Sequence, residues 1–557
     1  MGSELEVIKK RKYGIKKLDF IRQALAGYAG GSAIFSEMLQ NADDAGATKA
    51  IFQFRNQDLL AWNDSEFSEQ DWDNLTSIAS GGKRNEEGKI GTWGTGFLSV
   101  FHLTDIPEVN SAGERLVLDP REEDAKVYSS DFKNGTGFRM RWRRVPSEIS
   151  REIEADIWSD DNIQILKDNL IVSIYRQILF LRNVTCIEVY EGDHWQEKLL
   201  CRVTRTRKSM VQQSGYRCEI WDIEYQRAGV QPRLDTWLYY RGNVPNHLMV
   251  EGVKPKDTEI GIAFPIDNRE WLTKNLPGTL YNFLPTPIPT GYNFHINGAF
   301  FPDNNRRTIL IDLQTQREKS RWNLNVIDAI GDLFVEVLPD IRDRLNEPRR
   351  LYEILPTQSP TSSQQFLGPI YEAFCQAAPK EKIVFSSLGT WSEPGKVAIG
   401  RPGSRLPELV ADYLPIVPSG VPQTFRDFLT STLKIPLLDW KDAIAVLNES
   451  IQPGVPVAEA HPMINSVEKL WLLYSELPVN PTDEQRRLFA DATLCLGEDG
   501  KLWPFSGDIW RASEPTRSLL TNSGLLFVSL EAQKQYARLL ENLVVEMRGA
   551  ELVEWLA

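Results

Sequence analysis

The sequence is poor in cysteine and histidine, with five of each in 557 residues. The cysteines are far apart and form no C-x-x-C pair, so neither a zinc site nor a disulfide framework is indicated. This usage is typical of a reducing compartment, and we expect a cytoplasmic protein. The cysteines are Cys186, Cys201, Cys218, Cys375 and Cys495.

Long apolar runs and excess positive charge are also missing. No stretch of about 18 apolar residues occurs, so we expect no membrane span. The first residues, M-G-S-E-L-E-V-I-K-K-R-K, lack the apolar segment of a secretory signal. A net charge of -13 argues against a general nucleic-acid surface. The densest basic patch alternates as one face of a strand would, and we interpret it as solvated: Arg139, Arg141, Arg143 and Arg144.

The chain does have an ordinary globular composition, with 42% hydrophobic and 25% charged residues. One hydrophobic core does not grow to this size, so we expect three or so domains. The fold class that we expect is α+β. The expected domains are 1–148, a strand-rich α/β middle domain with flanking helices at 149–348, and a mostly helical region at 349–557. In the last region two similar segments predict small hairpins, one starting at Ser387 and one at Cys495.

One predicted helix carries polar residues on a single face. In E-M-L-Q-N-A-D-D-A-G-A, spacings of four and three align Glu37, Asn41 and Asp44. A carboxylate beside a phosphate can deprotonate the attacking water, and a carboxamide oxygen suits Mg²⁺. A solvated helix face is the competing interpretation. A different face is apolar: Phe35, Met38, Leu39 and Ala42.

A glycine-rich loop follows this helix about fifty residues later in the chain. It reads I-G-T-W-G-T-G-F from Ile90, a G-x-x-G-x-G spacing that matches neither the Rossmann nor the P-loop pattern. Glycines let the backbone turn tightly and approach phosphate closely. With the polar helix, the loop predicts an ATP site that has its own water-activating group. Its candidate residues are Gly91, Gly94, Gly96 and Phe97.

Two further segments lie between the helix and the loop. Asn63 or Asp64, where a predicted strand ends, could accept a hydrogen bond from the amino group of adenine. Residues 78–89 are rich in glycine and lysine and are placed as a lid would be. Lys83 or Lys89 is a candidate phosphate contact there, and an ordinary surface loop with solvated lysines is the alternative.

These segments resemble the GHKL superfamily of ATPases, in particular its heat-shock-chaperone branch and sacsin-type repeats. Q-N-A-D-D-A-G-A-T and G-F-L-S-V-F-H-L-T-D-I-P carry the likeness. G-T-G-F-R-M-R-W-R is similar to the strand that bears the family's buried threonine, which would be Thr136. The resemblance spans roughly residues 18–144, extends more weakly to about 312, and implies an N-terminal α/β sandwich ATPase domain.

The resemblance also implies roles for individual residues. Glu37 matches the general base, Asn41 the magnesium ligand, and Asp44 a position bordering the nucleotide. The adenine motif departs from the usual D-x-G-x-G and reads N-D-S-E-F, so the choice between Asn63 and Asp64 stays open. Gly91, Gly94, Gly96 and Phe97 match the phosphate loop.

A later segment, from Leu280 to Arg307, resembles one that follows the ATPase domain in sacsin-like chains. It supplies Arg306 or Arg307 as a cation for the γ-phosphate, and a surface pair beside a strand is the alternative. His102, after the phosphate loop, matches a variable position, and we expect it to be a packed core histidine.

The function implied is a conformational machine that binds and hydrolyses ATP with Mg²⁺. Nucleotide state would control lid closure, domain docking and the binding of a protein client or partner subunit, with a homodimer as one arrangement. Two alternatives stay open. One is a protein-binding module with a degenerate pocket, and the other is the ATPase subunit of a nucleic-acid-processing or anti-phage defence complex.

Overall fold

The computed structural model describes residues 17–26, 31, 33–79, 96–122, 125–255, 257–266, 278–303, 308–345, 347–549 and 553. Its contacts group the chain into two compact units. The first unit runs to residue 346 and includes 353–374, and the second comprises 347–352 and the chain from 375 onward.

The first unit opens with helices that cover one face of a sheet. The apolar face predicted around Phe35 and Leu39 is confirmed, because both side chains are almost fully buried. The elements are α1 (Lys17–Ala26), α2 (Ala33–Asp44), β1 (Lys49–Phe54), β2 (Asp58–Asn63), α3 (Glu69–Ala79), a 3₁₀ helix (Phe97–His102), β3 (Glu108–Ser111), β4 (Glu114–Val117), β5 (Lys126–Ser129) and β6 (Thr136–Arg141).

The rest of this unit is a longer set of strands closed by one long helix. That helix buries Trp322, Val326 and Ile330 at four-residue spacings, the pattern of an amphipathic helix against a sheet. The elements are α4 (Glu148–Glu152), α5 (Asp160–Gln177), β7 (Cys186–Glu191), β8 (Lys198–Gln212), β9 (Arg217–Arg227), β10 (Arg233–Asn243), β11 (Glu259–Pro265), β12 (Thr279–Asn282), β13 (Leu284–Pro289), β14 (His295–Gly298) and α6 (Arg317–Arg344).

The described strands of the first unit form one sheet, in the order β13-β12-β14-β11-β10-β9-β8-β7-β1-β2-β6-β3-β4-β5. Most neighbours are antiparallel, but β1 pairs in parallel with β7, with Ala50 opposite Ile187 and Phe52 opposite Val189. The side chains of these four residues point to the face of the sheet that α1, α2 and α5 cover, and the side chain of Ile51 points to the opposite face.

The expected division between residues 148 and 149 is not marked in this arrangement and stays a prediction. A single hydrophobic core contains Ile34 from α2, Leu170 from α5 and Tyr239 from β10. Both the sheet and the core therefore run from the N-terminal strands into the later ones.

The second unit is mainly helical and contains two small hairpins, which begin three and two residues before the predicted starts at Ser387 and Cys495. The first joins Val384–Phe385 to Trp391–Ser392, and the second joins Thr493–Leu496 to Lys501–Pro504. Its α-helices beyond the first hairpin are Leu406–Val410, Gln423–Asp427, Trp440–Asn448, Val467–Glu476, Asp483–Ala490, Glu514–Leu519, Leu530–Gln535 and Ala537–Leu543.

The segments after the two hairpins are also alike, so the similarity seen in the sequence extends to the fold. After the first hairpin, Ala398 pairs in parallel with Ile416 and Ile399 with Leu437. After the second, Ile509–Trp510 pairs in parallel with Leu526–Phe527, and Arg511 pairs with Glu546. The second unit thus repeats one succession of hairpin, short strand, helix and parallel partner strands.

No helix in the described parts of the chain is long and apolar enough to cross a membrane.

His295 is a deeply buried titratable group of the sheet interior. Its ring stacks on Trp237 at 5.5 Å between centroids, and its Nδ1 accepts a hydrogen bond of 2.8 Å from the backbone N–H of Thr279. Burial, together with the positive charge of Arg176, lowers the pKa of His295 to about 3. The folded protein therefore keeps this ring neutral where the unfolded chain, with a pKa near 6.5, takes up a proton.

We expect this difference to appear in the pH dependence of stability. The contribution of a neutral His295 is complete above pH 6.5 and is lost as the pH falls toward 3, by at most about 1.4 kcal/mol per pH unit. The free energy of unfolding, measured with urea at several pH values between 7.5 and 5, should change less steeply with pH for His295→Gln than for wild type. His247→Gln, at an exposed position, is the control, and equal slopes for all three proteins would contradict the assignment.

Candidate functional site

Glu37 and Gly96 meet at the point where the glycine loop joins the 3₁₀ helix. A β-carbon placed on Gly96 would lie 2.0 Å from Oε2 of Glu37 and 2.9 Å from its carboxyl carbon. Real β-carbons do not approach other atoms so closely, so a glycine leaves the room that the carboxylate occupies. The structure therefore brings the expected base against the last glycine of the loop.

Asn41 lies one helical turn after Glu37 and is half-buried. Its Nδ2 atom is buried and has no hydrogen-bond partner among the described residues. Rotation of the side-chain amide by 180° would place Oδ1 where Nδ2 now lies. A buried amide atom without a partner is unfavourable by roughly 1–3 kcal/mol, so the position suits a bound group that supplies the missing contact.

Asn63 and Asp64 differ in what their side chains do. Asn63 continues the alternation of Leu59 and Ala61, which lie in the core under the helices, so it points to the α2 side of the sheet. It is buried, and its Oδ1 accepts a hydrogen bond of 3.0 Å from the backbone N–H of Ser65.

The Asp64 carboxylate is engaged at the start of β1. It accepts hydrogen bonds from the backbone N–H groups of Thr48, at 2.8 Å, and Lys49, at 3.0 Å. The Thr48 hydroxyl donates to it as well, at 2.5 Å. Asp64 thus closes the turn into β1, while Asn63 stays on the side of the sheet that α2 covers.

Thr136 lies beside Asn63 in the sheet, since the two residues are register partners of β6 and β2. Its hydroxyl donates to the Ser65 carbonyl at 2.7 Å and lies 2.8 Å from the hydroxyl of Ser111. Thr136 and Ser111 are both fully buried. The pair forms a polar patch in the floor of the site, within an otherwise apolar sheet face.

Arg143 fixes the segment that follows the glycine loop. Its guanidinium side chain is fully buried and donates to the carbonyls of Phe101 at 2.7 Å, Thr104 at 2.9 Å and His102 at 3.2 Å. Its Nε donates to Asp105 at 2.6 Å. Burial and the positive charge of Arg143 lower the pKa of His102, which fits the expected packed histidine.

The interpretation of the arginine patch as a solvated face is wrong for Arg143. β6 ends at Arg141, so the alternation of the strand no longer governs Arg143, which turns inward. Arg139 and Arg141 do remain partly exposed, and they pair with the buried carboxylates of Asp58 and Glu108. These pairs neutralise most of the patch.

The remaining predicted site residues divide into three groups. Phe97 is buried and packs near Phe138, with ring centroids 6.1 Å apart. Asp44 is exposed in the last turn of α2. Five positions lie outside the described residues: Lys83, Gly91, Gly94, Arg306 and Arg307.

Sequence reasoning missed Arg143 and Asp43 as residues that shape the site. A signal for Asp43 was present, because it continues the helical stripe of Phe35 and Leu39 at four-residue spacing. A carboxylate in line with buried apolar residues has to find partners inside the protein. Arg143 gave no comparable signal, since its direction depends on where β6 ends.

Comparisons with known proteins show what the chain is similar to. Residues 51–131 match the family model described as Sacsin domain. The chain is similar to Sacsin of Homo sapiens, with 24% identity over 487 residues that cover 67% of this chain and 10% of that protein. It is also similar to Protein NO VEIN of Arabidopsis thaliana, with 23% identity over 364 residues that cover 60% of this chain and 12% of that protein.

Two solved structures are also similar to parts of the chain. One is the ATPase domain of the mismatch repair endonuclease MutL from Aquifex aeolicus, with 10% identity, 34% of this chain and 70% of that chain covered, and a TM-score of 0.20. The other is a variant of the same domain, with 10% identity, coverages of 47% and 86%, and a TM-score of 0.22.

The predicted resemblance to sacsin-type proteins is therefore confirmed. The predicted α+β fold class is confirmed as well. The chain spans about a tenth of the length of the curated relatives it matches.

Replacing Arg143 by lysine should destabilise the first unit by about 3 kcal/mol, because a lysine cannot serve the same set of acceptors and leaves buried carbonyls unpaired. Urea unfolding measures the change. The neighbouring Arg144→Lys is the matched control, since Arg144 pairs at the surface with the exposed Asp160 and should lose less than about 1 kcal/mol. Equal losses for both variants would show that Arg143 has no special role.

Proposed function

We propose that the chain is an ATPase whose nucleotide site lies between α2, the glycine loop and the ends of β2 and β6. The observation that carries the proposal is the Glu37 carboxylate held against Gly96, the last glycine of the loop. A carboxylate at this place can orient a water molecule beside a phosphate and accept its proton. The half-buried position of Glu37 restricts the directions in which it can act.

The residues present fit a magnesium ion and a nucleotide. The amide of the half-buried Asn41, whose buried Nδ2 has no hydrogen-bond partner among the described residues, suits a bound group at this point. Asn41 would contribute its oxygen to Mg²⁺, which is a hard cation. When bound, the ion would neutralise charge on the phosphates.

The adenine end of the site is best assigned to Asn63. Its side chain points to the α2 side of the sheet, and it neighbours the buried hydroxyls of Thr136 and Ser111. The Asp64 carboxylate is already used by Thr48 and Lys49. Buried polar groups of this kind can fix the orientation of a base edge.

ATP binding would serve conformational coupling in this proposal. A nucleotide moves an equilibrium only if it binds one state better than another, and the lid segment 78–89 with Arg306 or Arg307 would supply that difference. The resulting change would alter binding of a protein client or partner subunit. The sacsin-type relatives are about ten times longer than the matched region, so the rest of such a protein would provide further partners.

A protein-binding module with a degenerate pocket is the second candidate. The altered adenine motif and the engaged Asp64 favour it, because a weaker adenine contact lowers nucleotide affinity. A direct nucleic-acid role gains less support, since Arg139 and Arg141 are paired with carboxylates.

Turnover of ATP with Mg²⁺ should fall at least about 100-fold in Glu37→Gln, because the general base is lost while the shape of the side chain is kept. The stabilisation by ATP in a thermal-shift assay should survive, since a ligand that binds the native state raises its stability. Glu152→Gln, on the exposed surface of α4, is the control. Undiminished turnover in Glu37→Gln would remove Glu37 from the role, and no ATP-induced shift in wild type would favour the degenerate pocket.

Gly96→Ala should separate catalysis from stability. The added methyl group collides with the far end of the Glu37 side chain, which can swing away at little energetic expense. We therefore expect turnover to fall at least about tenfold, since misplacement of a catalytic group by about 1 Å is costly, with little change in the unfolding midpoint. Gly395→Ala, where the new carbon meets nothing within 4 Å, should keep both, and normal turnover in Gly96→Ala would contradict the assigned geometry.

A further inference from the structure

Asp43 is a buried carboxylate on the same helix as the candidate catalytic residues. It is 6% exposed and accepts hydrogen bonds from three successive backbone N–H groups. These are Arg182, at 2.9 and 3.0 Å to the two oxygens, Asn183 at 2.7 Å and Val184 at 2.9 Å. The Asn183 side chain also donates to the Asp43 carbonyl at 2.8 Å. One segment between α5 and β7 thus supplies several of its partners.

Arg205, on β8, holds the same segment from the other side. It is 3% exposed, and its guanidinium donates to the carbonyls of Leu179 at 3.2 Å, Val184 at 3.3 Å and Arg182 at 3.5 Å. Its guanidinium carbon lies 4.4 Å from the centre of the Trp221 ring. No carboxylate within the described part of the chain forms an ion pair with Arg205.

Residues 179–185 therefore lie between a buried anion and a buried cation. Several of their N–H groups point to Asp43 and several of their carbonyls to Arg205, so the peptide dipoles connect the two charges. Burial of either charge without these partners would be strongly unfavourable. Burial lowers the pKa of Arg205 to about 10, and the negative charge of Asp43 opposes that shift.

The same segment also determines where β7 starts beside β1. The backbone N–H of Thr185 donates to the Thr48 carbonyl at 2.8 Å. The Arg182 side chain pairs with Asp257 and covers the ring of Phe283 at 4.5 Å. The segment thus contacts α2, β1 and elements far along the chain.

We propose that Asp43 and Arg205 are positioning residues, which hold α2 through segment 179–185. They thereby keep Glu37 beside Gly96 and Asn41 in its place one helical turn further along α2. Asp43 lies only six residues after Glu37 on one rigid helix, roughly 9 Å along its axis. A shift at Asp43 is therefore transmitted to Glu37. This inference rests on the proposed ATPase function.

The test compares Asp43→Asn, Arg205→Lys and the double variant in ATP turnover with Mg²⁺. Each single change should lower kcat at least about tenfold. The KM for ATP should change by a smaller factor than kcat, because Asn41 moves with α2 while Asn63 and Thr136, at the adenine end, lie on the sheet. The double variant should lose little more than either single one, since both act through one segment.

Asp193→Asn is the matched control. Asp193 also accepts a backbone N–H, that of Asn56 at 3.0 Å, and it lies at the opposite end of β1. The Asp193→Asn variant should therefore have the same kcat as wild type. If Asp43→Asn and Arg205→Lys lower the unfolding midpoint but keep kcat per folded molecule, the two residues only stabilise the fold and the inference is wrong.

Hydrogen exchange provides a readout that does not depend on ATP. Amide exchange over residues 34–44 should be faster in both variants than in wild type and in Asp193→Asn. Unchanged protection of α2 would overturn the inference even if activity fell. Wild-type protein without turnover would refute the proposed function instead, and the exchange data would still show whether Asp43 and Arg205 hold α2.

Discussion

The parallel pairing of β1 with β7 is the constraint on which the first unit depends. Antiparallel neighbours can be joined by short turns, but a parallel pair needs a long connection that crosses a sheet face. Here that connection contains α5, which packs its apolar residues on the same core as α2. Through this one pairing the strands before residue 141 and those after residue 186 become a single sheet.

The sequence predicted most elements near the site because their signals are local. The residues K-A-I-F-Q-F predict a strand over Lys49–Phe54, and the observed strand has these bounds. The apolar spacing predicts a helix over Ile34–Ala45, and α2 differs from it by a single residue at each end. The apolar spacing predicts a helix over Asn323–Leu345, but α6 begins six residues earlier, because its first residues are mostly polar and exposed. Periodicity detects the buried part of a helix and misses solvated ends.

The candidate site was predictable in its residue types but less so in its arrangement. Helical spacing alone aligned Glu37 with Asn41. No local rule could indicate that Gly96 would meet Glu37, because that contact joins two elements distant in the chain. The contacts that distinguish Asn63 from Asp64 were likewise beyond any local rule, because the Asp64 carboxylate bonds to the backbone of Thr48 and Lys49 at the start of another strand. Arg143 illustrates the same limit, because its burial depends on where a strand stops.

The polar residues around the site fall into two classes with different demands. Thr136, Ser111 and Arg143 satisfy one another or the backbone, as buried polar groups usually do. Asn41 retains a buried amide atom with no partner among the described residues. The buried hydroxyl of Ser99, in the 3₁₀ helix after the glycine loop, also has no partner among the described residues. The region thus keeps more than one place where an external group would improve the hydrogen bonding.

The continuous sheet has a practical consequence for dividing the chain. A fragment that ended after β6 would leave the K-A-I-F-Q-F strand without β7, so its backbone N–H and carbonyl groups would face solvent along one edge. Unprotected edges with apolar side chains pair readily with other copies and aggregate.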